Sequence, residues 1–255
     1  MNLVISLRSE FLKIRRTSSF YLCLLVAAIV PGLYLFSALT EIDGIQAFRN
    51  DPWNLYLREG WKAMSYMILP MFVILINALL PQLEFRNNTW KQVYTAPQPL
   101  VQVFLSKLLL THLLTILCLL SFNLLMMGSL MIVGLQNPQL DLYNHTLNWM
   151  EVLLSNCRLY VTILGISAIQ FWLGMRLRNF IAPIGIGFGL WFAAGILGFE
   201  LHWKHLDKYP YAFSMMQVSK KFADVMPQVQ WLSLGYAILF WLIAFLDMKL
   251  RKAKV

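Results

Sequence analysis

The sequence predicts an all-α polytopic membrane protein with about six transmembrane helices, an N-terminal interfacial helix and a short cytoplasmic helix between spans two and three. Three observations carry this prediction. Of the 255 residues, 59% are hydrophobic and only 13% are charged, a balance well beyond that of an average soluble domain. The apolar residues gather into six runs, at about 18–40, 63–83, 104–134, 152–175, 180–199 and 229–248. Each run approaches or exceeds the roughly 20 residues that a helix needs to cross hydrocarbon with its backbone groups paired. Nearly all the charge lies between the runs, so the chain reads as one membrane domain over 1–255, with 1–17, 84–99 and 200–228 as its non-spanning parts.

The charge distribution sets the expected topology. With the N-terminus inside, 13 of the 21 basic residues fall on the cytoplasmic side: Arg8, Lys13, Arg15, Arg16, Arg86, Lys91, Lys107, Arg176, Arg178, Lys249, Arg251, Lys252 and Lys254. Seven fall outside, and Arg158 remains near the outer end of the fourth span. This asymmetry favours a multi-pass protein of the cell inner membrane with both termini cytoplasmic. The net charge of +9 is dispersed between spans, whereas a nucleic-acid binder presents a contiguous basic surface. No nucleic-acid partner is therefore expected; membrane lipid is.

Residues 3–16 place Leu3, Val4, Leu7, Phe11 and Ile14 on one helical face and Ser6, Ser9, Glu10, Lys13 and Arg16 on the other, the pattern of a helix lying in the membrane interface. A cleaved signal peptide is disfavoured, because the run that follows is long and five more spans come after it. The outer loop before the second span carries Trp53 and Trp61, expected to be interface anchors. After the second span, Arg86 to Thr95 can form a short helix that Pro97 and Pro99 terminate. Glu151 and Arg158 lie in the outer third of the fourth span, where they either snorkel outward or face protein. The fifth span contains Gly185, Gly187 and Gly189, a small-residue face for another helix. Residues 200–228, aromatic and charged, are expected to cap the membrane surface.

No catalytic constellation accompanies this layout: the chain has no His-Glu-x-x-His pair, no Gly-x-Ser-x-Gly elbow and no Gly-x-x-x-x-Gly-Lys-Ser/Thr loop. An ATPase site, if one is used, must belong to another subunit. Glu200, His202, His205 and Asp207 have metal-ligand chemistry but read better as interfacial polar residues, so no metal or other cofactor is expected in this chain. His112 is a weak proton-relay candidate. Cys23, Cys118 and Cys157 lie within apolar runs and act as small hydrophobes. Arg158, with Ser167 and Gln170, is a candidate polar lining for a translocation path, snorkelling of Arg158 being an equal alternative.

Two stretches resemble the type-2 ABC exporter permeases, particularly the single-domain bacterial permeases that include lantibiotic-immunity subunits. One is the opening Leu7-Arg-Ser-Glu10-Phe-Leu-Lys13-Ile-Arg-Arg16, which is similar to that family's connecting helix. The other is Glu84-Phe-Arg-Asn-Asn-Thr89-Trp90-Lys91-Gln-Val-Tyr94-Thr-Ala-Pro97 followed by Lys107, which is similar to its coupling-helix segment. The chain has Asn88 where the family often has glycine, and Gln98-Pro99 where serine-arginine often follows the proline. The resemblance implies a permease that pairs with a second permease copy or a related permease and with an ATP-binding-cassette ATPase subunit, which carries ATP and magnesium. It implies that Glu84, Arg86, Thr89, Trp90, Lys91 and Tyr94 contact that ATPase or position the contact, and that the cargo is a peptide antibiotic, a lipid-like molecule or a drug. The alternative from another class is a non-transporting scaffold or sensor subunit of an envelope complex.

Overall fold

A computed structural model describes residues 3–14, 18–40, 48–86, 90 and 98–252. Among these, six helices are long and apolar enough to cross a membrane, and no strand is present. Among the described residues, besides short 3-10 turns, the helices are α1 (Leu3–Ile14), α2 (Ser18–Thr40), α3 (Pro52–Arg86), α4 (Leu100–Gln136), α5 (Trp149–Arg176), α6 (Ile181–Glu200), the short α7 (Phe213–Met216) and α8 (Met226–Lys252). The start of α1 and the end of α8 lie at one end of the bundle, here the terminal end. The connections α2–α3, α4–α5 and α6–α8 form the opposite, loop end.

Each span buries a stripe and leaves the rest to lipid. In α2 the buried residues Cys23, Val26, Ala27 and Val30 follow the helical period and pack on α4. Tyr21, Leu25, Leu33 and Phe36 of the same helix are exposed, as a lipid-facing side requires. α4 has 37 residues, or about 55 Å at 1.5 Å per residue, well over the ~30 Å of hydrocarbon. It therefore projects beyond the bilayer and supplies a rail for α1 and α2.

The α2–α3 connection is more ordered than a loop. Pro52 begins a helix capped by Asp51, whose carboxylate accepts the Asn54 N–H at 3.4 Å, the side-chain cap and first-turn proline that favour helix starts. The helix runs through a π turn at Met64–Ile68 into the second span without a break. Both tryptophans are tied by their indole N–H groups into the protein, Trp61 more deeply than Trp53. Trp61 is 5% exposed and donates to Asn123 Oδ1 of α4 at 2.9 Å, while Trp53 donates to the Leu142 carbonyl at 3.1 Å. At bilayer depth an indole N–H needs such a partner, and Asn123 provides one while also bonding Asn156 of α5 at 2.8 Å.

Small residues allow the closest crossings. A Cβ on Gly174 would sit 2.1 Å from the Asn77 carbonyl oxygen of α3, and one on Gly187 would sit 2.4 Å from Gln170 Nε2. Gly187 is thus the packing glycine of α6; Gly185 and Gly189 have nothing within 4 Å. Between α5 and α8, the Ser233 hydroxyl accepts the Gly165 N–H at 3.0 Å and donates to the Val161 carbonyl at 2.7 Å. It enters the backbone ladder of α5, a recognised cause of local helix opening.

The segment after α6 departs most from the surface cap expected of it. Pro210–Ala212 and α7 are buried, with Tyr211 2% and Phe213 0% exposed. The Tyr211 hydroxyl meets Gln170 at 2.8 Å. Gln170 lies 21 residues into α5, about 32 Å from that helix's loop end, so the segment dips past the middle of the bundle. Non-helical backbone survives at that depth only inside protein. The Ser65 hydroxyl from the π turn of α3 accordingly donates to the Ser214 carbonyl, and Tyr209 donates to the Leu190 carbonyl at 2.9 Å.

Gly174→Leu is expected to push α3 and α5 apart and cost about 1–3 kcal/mol, as overpacking does. Gly189→Ala, facing open space, should leave the melting temperature in detergent unchanged. Equal melting of both variants would contradict the crossing.

Candidate functional site

At the terminal end, four charged side chains from three helices meet, with Glu10, Glu84 and Lys107 largely shielded from water and Lys13 at the exposed edge. Ser6, Glu10 and Lys13 recur at helical spacing on α1, and this polar stripe turns inward onto α4 instead of outward to water. Val4, Ile5, Phe11 and Leu12 form the exposed side, consistent with a helix lying against lipid. Glu84 closes the last turns of α3, and Lys107 lies in the third turn of α4.

Lys107 forms an ion pair with Glu84 and another with Glu10 at 3.3 Å. Lys13 lies 2.7 Å from Glu10 and 3.1 Å from Glu84. Glu84 is 3% and Lys107 7% exposed. Two carboxylates and two ammoniums thus alternate in a neutral ring, which offsets the desolvation that an isolated buried ion could not bear. The Ser6 hydroxyl donates to Gln98 Oε1 at 3.3 Å, tying α1 to the residues just before α4. A cavity of about 20 Å³ among Glu10, Lys13, Glu84 and Lys107 has room for a single water molecule.

The ring acts on the ionisation of α1. Burial alone would raise the Glu10 carboxyl, but Lys107 and Lys13 outweigh it and hold it below its ordinary value of 4.5. Burial would lower Lys13, and Glu10 and Glu84 outweigh that to raise it above 10.5.

Of the residues expected at an ATPase contact, Glu84 is turned inward to this ring and Arg86 is exposed at the end of α3. Trp90 stacks near Phe85, with centroids 5.2 Å apart, and lies under Lys107, whose Nζ is 5.5 Å from its centroid. Thr89, Lys91 and Tyr94, with most of the expected helix over Arg86 to Thr95, lie outside the described residues. Through the Glu84–Lys107 pair and the Phe85–Trp90–Lys107 contacts, the end of α3 and the start of α4 are joined to each other.

The candidate path residues separate. Ser167 and Gln170 come together with Asn77 of α3 and Tyr211, Asn77 Nδ2 lying 2.8 Å from the Val73 carbonyl and 3.4 Å from Ser167 Oγ. Asn77 Oδ1 and Gln170 Oε1 are buried without a partner. Arg158 is 12 residues before Gln170, about 18 Å away along α5, and is exposed near the loop end. Among the described residues no three His, Cys, Asp or Glu side chains are grouped to hold a metal ion. The backbone at His202 takes a left-handed φ of 46°, and its ring lies 3.2 Å from the Glu200 carbonyl.

Sequence reasoning did not join Glu10, Lys13 and Lys107 to Glu84, nor Asn77 and Tyr211 to Gln170. The first group did leave a signal: four charges placed just where apolar runs begin or end. Asn77 and Tyr211 left only an isolated amide in an apolar run and one aromatic among many.

The model of a family described as ABC-2 family transporter protein matches residues 6–194, a stretch that contains the ring and the Asn77–Gln170 cluster. The chain belongs to the ABC-2 transporter family. No curated protein and no solved structure matches it. The ring links α1, α3 and α4 through three interhelical ion pairs.

Neutralising one member of the ring leaves its partner charged and buried. Lys107→Met is expected to cost about 3–5 kcal/mol, and Lys107→Met with Glu84→Gln to recover much of that; a melting-temperature double-mutant cycle reads the coupling. The docking of α1 has its own pH window. Glu10, with a depressed value, contributes above 4.5 and loses that contribution as pH falls through its lowered folded value. Lys13, with a raised value, contributes fully below 10.5 and loses it as pH rises further. The contribution of these two groups should therefore be flat between these limits, and Glu10→Gln should abolish the acid limb and also weaken the alkaline one, because Glu10 helps to hold Lys13 up.

Proposed function

We propose that this ABC-2 membrane protein is the permease subunit of an ATP-driven exporter, working with a separate ATP-binding-cassette ATPase that carries ATP and magnesium, and with a second permease. In this reading the terminal end is cytoplasmic, as the basic residues of that end favour, and the protein resides in the cell inner membrane. The observation that supports it best is the neutral ring of Glu10, Lys13, Glu84 and Lys107. It joins an interfacial helix to the two spans that flank residues 84–97, so a push on that connection moves α1, α3 and α4 together.

Arg86, Thr89, Lys91 and Tyr94 meet the ATPase, and Glu84 and Trp90 hold the contact in register. ATP-driven closure of the partner tilts α3 against α5 at the Gly174 crossing. There the Tyr211 segment fills the middle of the bundle, and its bond to Gln170 keeps the path closed between cycles. Displacing Tyr211 exposes Asn77, Ser167 and Gln170 as a polar lining for cargo, a peptide antibiotic, a lipid-like molecule or a drug. The export direction follows the resemblance of the two motif stretches to exporters.

Affinity capture of the chain from its native membrane, followed by an ATPase assay, tests the reading. Recovery of a P-loop ATPase is expected, with hydrolysis stimulated several-fold by the permease. Trp90→Ala and Lys91→Glu should insert normally and lose that stimulation, whereas Gly189→Ala keeps it. Repeated absence of an ATPase would favour a scaffold, and normal stimulation in both variants would remove the assigned contact.

A further inference from the structure

We propose that the pocket between α5 and the start of α8 binds a phospholipid headgroup that carries a hydrogen-bond donor beside its phosphate, as ethanolamine and glycerol headgroups do. Arg158 sits nine residues into α5, about 14 Å below its loop end. The helix, with 28 residues, is about 42 Å long and overruns ~30 Å of hydrocarbon by about 6 Å at each end. The Arg158 backbone therefore lies about 8 Å inside the boundary, and its side chain reaches outward to the level of the lipid phosphates. Among the described residues its guanidinium has no acidic partner. A lone cation at that depth is costly against acyl chains and is relieved by an anion at the boundary.

The surroundings are shaped for more than a charge. Arg158, Gln217, Ser219, Met226, Pro227 and Gln230 line a pocket of about 410 Å³. Gln217 Oε1 is buried and unpartnered, an acceptor whose desolvation is relieved only by a donor. Met226 and Pro227 offer an apolar wall for the glycerol and upper acyl region. A phosphate at Arg158 with an ammonium or hydroxyl at Gln217 satisfies both groups. Choline, lacking N–H and O–H, satisfies only the first. The site belongs to the single chain, so the proposal stands apart from the permease reading and from any ATPase partner.

The test is native mass spectrometry of the purified full-length chain, titrated with ethanolamine, glycerol and choline phospholipids of one acyl composition. The first two should bind about tenfold more tightly than the third, a charge-neutral hydrogen bond's worth of discrimination. Arg158→Gln should weaken all three, Arg158→Lys should keep part of the binding and so exclude misfolding, and Gln217→Leu should erase the headgroup preference. Millimolar inorganic phosphate should leave the lipid bound. Equal binding of the three headgroups, unchanged binding in Arg158→Gln, a preference that survives Gln217→Leu, or displacement by inorganic phosphate would each overturn the site.

Discussion

Glu84 and Lys107 face one another almost without water, and the terminal end is arranged around the need to keep both charged and both partnered. Neither could be buried alone, because the desolvation of one ion exceeds what a single imperfect contact returns. The polar stripe of α1 supplies the remaining charges, and so an interfacial helix is bound to the ends of two spans by its polar side. Its apolar side, with Val4, Ile5, Phe11 and Leu12, is left to the lipid. The neutral ring is therefore both a fastener and a mechanical junction: the three elements shift together or two ion pairs must part.

The same constraint, that polar groups in a membrane find partners inside the protein, explains the loop end. Trp61, Asn123 and Asn156 bond across α3, α4 and α5. The Tyr211 segment brings irregular backbone past mid-depth and is wrapped by α3, α5, α6 and α8. Its hydroxyl bond to Gln170, the Ser233 insertion into the α5 ladder and the orphaned acceptors of Asn77 and Gln170 lie in one neighbourhood. This is where helices meet by weak polar contacts beside glycine crossings, in contrast to the ring, where four charges interlock.

Most of the fold was legible in the sequence. The six spans appear as apolar runs because hydrocarbon demands long stretches without charge, a local property that composition displays residue by residue. The interfacial helix was legible from the period of Leu3, Leu7 and Ile14 against Ser6, Glu10 and Lys13, though not which side would dock. The helical continuation from Pro52 into the second span was hidden by Arg58, Glu59 and Lys62, whose charges read as loop. They lie on the outward side of a capped amphipathic helix whose other side, Tyr56, Leu57, Gly60 and Trp61, is buried. Trp61 looked like an interface anchor because an indole suits either setting, and only Asn123 across the gap decides which.

The sequence by itself therefore determined that the chain lives in a bilayer, how many times it can cross, and that its own residues offer no recognisable ATPase motif. Tertiary structure alone decided which polar residues meet. Glu10, Glu84 and Lys107 are separated by 74 and 23 residues in the chain, and Gln170 and Tyr211 by 41. The physical reason is that solvation by lipid is read from each residue's own polarity, whereas an ion pair or a buried hydrogen bond exists only between helices that packing has already brought together.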